Sequence, residues 1–157
     1  MFPDRVYTGE EVRLAKSLID KGYRHRLQIL GSPVFKAKTR EAVKLVKTAG
    51  YFEFLRTYIR SIREVEGLSQ LREAEASIWA NIYTVEDAVD AAGFFVQKAY
   101  QMKAYVEGRI YYGHQGETES VDSRMTFLKT LRERSKDPRI REVCESRLKS
   151  WDESKFF

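Results

Sequence analysis

The amino-acid sequence predicts a mainly α protein: a helical bundle of about six helices in a single domain over residues 1–157, with one short β element near residues 26–30 or 78–83. Three observations predict this fold. Apolar residues recur at the three- and four-residue spacing of helices through most of the chain. Capping residues and glycines bound these stretches. The length, 157 residues, matches the commonest size of one domain, and no repeat or Pro/Gly/Ser-rich linker divides it.

The first predicted helix begins after Thr8, which is followed by acidic residues as in a helix-capping sequence, and it ends at Gly22. Residues 26–30 alternate weakly between polar and apolar side chains and end at Gly31. This pattern is typical of a short strand or an extended connector.

Ser32 and Pro33 form an N-cap and first-turn pair, which predicts a second helix that runs to Gly50. A third amphipathic helix is expected from Phe52 to about Gly67. Its apolar side chains would then form the inner face and its charged side chains the outer face.

Residues 71–107 keep a helical period, and the sequence leaves open whether residues 69–107 form one helix or two, or whether residues 78–83 form a strand. Residues 108–120, which hold three glycines, predict a mobile loop. Part of its aromatic surface is expected beside a cleft, and the alternative is that it packs on the domain as filler. Two short helices are expected to follow.

Basic residues fall at helical spacing in the first half of the chain. Residues 1–67 hold 14 basic and 8 acidic side chains, whereas residues 68–157 hold 14 and 15. Helices that align such residues can bind phosphates, although an ordinary solvated face gives the same pattern. The predicted nucleic-acid-binding residues are Lys36, Arg40, Lys44, Lys47, Arg56, Arg60 and Arg63.

The leading hypothesis is therefore a non-catalytic module that binds nucleic acid or another polyanion. The alternative is a protein–protein interaction module or homo-oligomer, because nine Tyr, nine Phe and two Trp are many for a small domain. Neither hypothesis requires a cofactor, a metal or a membrane.

Two enzyme hypotheses stand beside these. An acidic cluster resembles, in its spacing, the carboxylate pairs of all-helical nucleotide pyrophosphohydrolases; its members are Glu73, Glu75, Glu86, Asp87 and Asp90. Convergence of Glu75, Glu86 and Asp90 in one pocket would imply a Mg²⁺-dependent phosphoesterase. Arg109 and His114 resemble the Arg…His pair of HEPN domains, which would imply RNA cleavage. The sequence has no P-loop, dinucleotide-binding or hydrolase nucleophile motif, which favours a non-enzyme.

Composition also suggests an environment. Cys144 is the only cysteine, so an internal disulfide is impossible and a reducing, cytoplasmic location is expected. One Asn and five Gln against many charged residues favour a thermophilic source.

Overall fold

The computed structural model describes residues 1–154. Within that range the chain forms six α-helices and four β-strands, with a turn of 3-10 helix at Glu73–Glu75. The helices are α1 (Gly9–Asp20), α2 (Pro33–Thr48), α3 (Phe52–Tyr58), α4 (Ala88–Val106), α5 (Gly113–Arg134) and α6 (Pro138–Ser154). The strands are β1 (Gln28–Leu30), β2 (Ser61–Glu64), β3 (Gln70–Arg72) and β4 (Ser77–Ala80).

The mainly α prediction is confirmed, but the expectation of a single short β element is wrong. The four strands form one mixed sheet in the order β1-β2-β4-β3. β2 lies parallel to both β1 and β4, and β3 is antiparallel to β4. Both segments named as candidate strands, 26–30 and 78–83, contain part of this sheet. Helices α2, α4, α5 and α6 pack against one another, and α2 and α4 also contact the sheet, so the chain combines mainly α structure with a small mixed sheet.

Local sequence signals set the helix starts. The Thr8 hydroxyl accepts a hydrogen bond from the Glu11 N–H at 3.2 Å, and the Glu11 carboxylate accepts one from the Thr8 N–H at 2.8 Å. The Ser32 hydroxyl likewise accepts from the Phe35 N–H at 3.2 Å. These bonds satisfy backbone donors that a helix start leaves without partners.

Residues 69–107 contain one α-helix and not two. α4 begins at Ala88, where the Asp87 carboxylate accepts from the Asp90 N–H at 2.8 Å. It is buried along most of its length and contacts α2, α3, α5 and α1. Of the apolar positions before Ala88, Leu71 and Ile78 lie in β3 and β4, and Ile82 and Val85 lie in the turns between β4 and α4.

The sheet has one covered face and one outer face. Side chains of Ile62, Leu71 and Ile78 are in register across β2, β3 and β4 and are buried against the helices. Because successive strand residues point to opposite faces, Arg63 and Trp79 lie on the other face. No helix within residues 1–154 is both long and apolar enough to cross a membrane.

Candidate polyanion-binding surface

Four of the predicted binding residues lie on α2: Lys36, Arg40, Lys44 and Lys47, here called the α2 basic face. Arg40, Lys44 and Lys47 are exposed and Lys36 is half-buried. The opposite side of the same helix is buried through Phe35, Thr39, Ala42, Val43 and Val46. The apolar residues thus fix which way the cations point.

A groove of about 330 Å³ lies between α2 and β1, and it is here called the α2–β1 groove. Arg40, Lys44 and Lys47 stand along it. The rest of its lining is apolar, contributed by Leu27, Ile29, Val43 and Phe52. A positively charged rim beside an apolar floor can hold an anionic ligand that also has flat or apolar parts.

Phe52 brings Arg56 to the same surface. The Lys47 ammonium lies 4.5 Å from the centroid of the Phe52 ring and the Arg56 guanidinium lies 6.0 Å from it. Both cations therefore contact one aromatic ring at the start of α3. Arg56 also lies 3.6 Å from the Glu53 carboxylate, one turn earlier.

Few carboxylates neutralise this surface. The Lys44 ammonium is 3.7 Å from the Glu41 carboxylate, and both side chains are largely exposed, so the pair is weak. Within residues 1–154, Lys36, Arg40 and Lys47 form no ion pair. Three cations thus remain available to an anion from solution.

Arg60 does not belong to this surface, because the predicted third helix ends at Tyr58. The Arg60 guanidinium donates to the carbonyl oxygens of Pro3 at 2.6 Å and Asp4 at 2.9 Å. It also covers the Phe2 ring, 5.4 Å from its centroid. This side chain therefore holds the N-terminal segment against the domain.

Arg63 is separated as well. It lies on β2 rather than on a helix and is exposed on the outer face of the sheet. Arg56, Arg60 and Arg63 occur at the spacing of a helix face, but Ile59 and Ile62, β-branched residues between them, favour extended chain. The seven predicted residues thus form one surface of five, with two elsewhere.

The candidate metal carboxylates do not converge. Asp90 pairs with Arg147, whose Nε and one terminal nitrogen donate to its two oxygens at 2.7 and 3.0 Å. Glu75 lies in the turn of 3-10 helix before β4, and Glu86 precedes α4. Within residues 1–154, no three His, Cys, Asp or Glu residues are grouped so that they could hold a metal ion.

The predicted loop at residues 108–120 is wrong in extent, since α5 already begins at Gly113. The remaining connection does border a cavity of about 490 Å³, beside which Ile110 and Tyr112 are exposed. Arg109 and His114 line this cavity too. The Arg109 guanidinium forms an ion pair with the Glu107 carboxylate at 2.8 Å, so its charge is already partnered by a neighbouring side chain.

Cys144 lies on the buried side of α6, as its apolar neighbours in the sequence indicate. Burial raises the pKa of its thiol to about 11. The thiol is therefore protonated at neutral pH, which does not suit a nucleophile.

Phe52 and Trp79 are both half-buried, and sequence reasoning does not foresee their contacts with the cations Lys47, Arg56 and Arg72. The helical pattern places Phe52 on the inner face of the third helix and Trp79 within a longer helical period. Trp79 alternates with buried Ile78 and Ala80, and that alternation is the available signal for an outward position.

Comparison with models of protein families, with curated proteins and with solved structures finds no match to this chain.

Proposed function

We propose that the protein is a non-catalytic module that binds nucleic acid through the α2 basic face and the α2–β1 groove. The observation that supports this proposal most is the position of Arg40, Lys44 and Lys47 along one groove. Two of the three have no carboxylate partner within residues 1–154, and the third has a weak one. Cations held together without neutralisation repel each other, and an anionic ligand relieves that repulsion.

The dimensions fit a phosphate backbone. Lys36 and Lys47 are eleven residues apart on α2, which corresponds to about 16 Å along the helix axis. That distance covers roughly five nucleotide steps along one strand at about 3.4 Å each. Binding would be driven largely by the release of counterions from phosphates, which makes it sensitive to salt.

The decisive test is reversal of the three groove cations. We expect the combined change Arg40→Glu, Lys44→Glu and Lys47→Glu to weaken binding of a fluorescently labelled 20-nucleotide DNA at least tenfold at about 0.1 M salt. The slope of log K against log salt should fall by about 2 to 3, because about three phosphate contacts are lost. Fluorescence anisotropy across a salt series measures both quantities.

A matched control keeps the change in net charge and moves it to other elements. Lys129, Lys136 and Arg139 are exposed cations on α5, the following turn and α6. Their reversal to Glu should leave the salt slope within about one unit of the wild type. Equal loss of binding in the two triple variants would show that only net charge matters and would contradict a site on α2.

Self-association is a second candidate function. It is favoured by two linked loops beside the sheet, which hold Leu68 and Tyr83. Leu68 and Tyr83 are 83% and 79% exposed. Their loops are joined because the Asn81 side chain donates to the Gly67 carbonyl oxygen at 3.1 Å. Exposed apolar side chains that together form one patch are typical of contact surfaces.

Light scattering tests this candidate. If these two loops form an interface, the mass should rise with protein concentration, and Leu68→Ser with Tyr83→Ser should return it to that of one chain. A constant mass equal to one chain up to millimolar concentration would exclude it.

A further inference from the structure

The outer face of the sheet carries a distinctive set of side chains. Strand alternation and register place eight residues on this face, here called the outer sheet face: Gln28, Leu30, Ser61, Arg63, Gln70, Arg72, Ser77 and Trp79. Gln28, Arg63 and Gln70 are exposed, Leu30, Arg72 and Trp79 are half-buried, and Ser61 and Ser77 are buried. Solvent therefore reaches this face mainly along the strand positions of Arg63 and Gln70 and at the β1 edge. None of the eight is acidic.

The register orders these residues into rows across the strands. Leu30, Arg63 and Trp79 are direct neighbours on β1, β2 and β4, and Gln70 follows on β3. Adjacent strands lie about 4.8 Å apart, so the row is about 14 Å wide. An arginine and a tryptophan thus stand side by side in the middle of the sheet.

A second arginine contacts the tryptophan from the next row. The Arg72 guanidinium lies 4.2 Å from the centroid of the Trp79 ring. A guanidinium at this distance stacks on the ring and presents a flat, positively charged surface. Arg63 on its other side forms no ion pair within residues 1–154.

We propose that the outer sheet face binds single-stranded nucleic acid, with a base stacked on the Arg72–Trp79 pair and a phosphate bound by Arg63. The charge of the face complements phosphate, and planar side chains beside cations are what unpaired bases stack on. In a duplex, the faces of the bases are already covered by neighbouring bases. A single strand is therefore the form of nucleic acid that this surface can bind by stacking.

This inference rests on the proposed function, because it extends the same ligand from α2 to the sheet. β1 is the edge strand of the sheet and has no partner strand on its outer side within residues 1–154. Ile29 of β1 lines the α2–β1 groove, and the next residue, Leu30, stands beside Arg63 on the outer sheet face. A flexible strand can pass around this edge and contact both surfaces, whereas a stiff duplex cannot.

Tryptophan fluorescence gives a direct test. The chain has two tryptophans, so Trp151→Phe leaves Trp79 as the only one. We expect a (dT)15 or (U)15 strand to quench the Trp79 emission as it binds, because a stacked base quenches indole. A hairpin duplex of the same charge should quench it little. Thermal melting followed by circular dichroism checks that the variant is folded.

Two substitutions locate the contact. Trp79→Leu should weaken binding of (dT)15 on the order of tenfold, the usual effect of losing one stacked base. Arg63→Gln, at an exposed position, should weaken it roughly threefold and lower the salt slope by about 0.7. Arg139→Gln, which removes an exposed arginine from α6, should change neither quantity.

The outcomes separate this inference from the proposed function. If the α2 triple reversal abolishes binding while Arg63→Gln and Trp79→Leu do not alter it, the proposed function stands and the sheet inference is wrong. If the sheet variants weaken binding and the α2 reversal does not, the α2 site is wrong and the outer sheet face remains. Absence of binding at about 0.05 M salt overturns both. Trp79 emission that changes with protein concentration alone would show that a second copy covers this face and would also overturn the inference.

Discussion

Replacement of His25 by phenylalanine is expected to remove about 3 kcal/mol of the pH dependence of stability between pH 7 and pH 4. The imidazole is 2% exposed, and its Nε2 has no hydrogen-bond partner within residues 1–154. Burial, with the nearby Arg60 and Arg56 charges, lowers its pKa from 6.5 to about 4.

The direction in which stability changes with pH follows from the number of protons that the folded and unfolded chains bind. Between pH 4 and pH 6.5 the unfolded chain binds a proton on His25 that the folded chain does not, so stability falls as the pH is lowered through this range. The contribution is complete above pH 6.5 and lost below about pH 4. A pKa that falls from 6.5 to about 4 corresponds to about 3 kcal/mol, at about 1.4 kcal/mol per pH unit.

Urea denaturation at several pH values measures the effect. The phenylalanine keeps an aromatic ring against Phe2 and Tyr23, whose centroids are 4.5 and 5.1 Å from that of His25. His114→Gln serves as the control, because it removes the other histidine of the chain, which lies at the exposed start of α5. Parallel pH curves for wild type and His25→Phe would contradict a buried neutral imidazole.

Gly116→Ala is expected to destabilise the protein by about 2 to 3 kcal/mol, although the same change inside an exposed helix usually stabilises by about 1 kcal/mol. A Cβ at this position of α5 would overlap the carbonyl carbon of Tyr111 and lie 2.8 Å from its Cα and 2.9 Å from its oxygen. Backbone atoms cannot rotate away as a side chain can. The connection before α5 must therefore move, which strains the hydrogen bond from the Tyr111 hydroxyl to the Glu73 carboxylate.

Chemical denaturation of Gly116→Ala beside Gly67→Ala tests this expectation. A Cβ added at Gly67 would meet no atom within 4 Å, and the residue is exposed, so its substitution should change stability by less than about 0.5 kcal/mol. A stabilised Gly116→Ala protein would mean that α5 and Tyr111 do not approach as closely as described.

The helix starts at Thr8 and Ser32 are predictable because a cap depends on three or four adjacent residues. The orientation of α2 is predictable for a similar reason, since its apolar residues repeat over four turns and fix the opposite face. Lys36, Arg40, Lys44 and Lys47 therefore share a face, as their spacing predicts.

The sheet is not predictable in the same way. Its strands are three or four residues long, and each gains its hydrogen bonds from a strand distant in sequence. The three-residue spacing of Ile59 and Ile62 fits a helix. In so short a segment the same two residues fit equally well the extended chain that the structure adopts. The misplacement of Arg60 and Arg63 follows from this ambiguity, and the outer sheet face could not be foreseen without the strand order.

Gly113 and Gly116 depart from their sequence pattern for another reason. Glycine usually weakens a helix, so two glycines within four residues favour a loop. At Gly116 the structure uses the missing side chain to bring Tyr111 close to α5. This close packing of Tyr111 against α5 outweighs the low helix propensity of glycine. Because it depends on the folded arrangement, the residues next to Gly116 in the sequence give no sign of it.

The Arg60 contacts imply an order of assembly for the chain. The bonds from Arg60 to Pro3 and Asp4 and from Tyr105 to Val6 join residues at least 56 positions apart. Loops of this length close late, so the first six residues should dock after the sheet and α4 have formed and should detach first on partial unfolding. Because the Phe2 ring packs against His25, that detachment admits water to the imidazole. Acid would then act first by releasing the N-terminal segment, before the rest of the fold is lost.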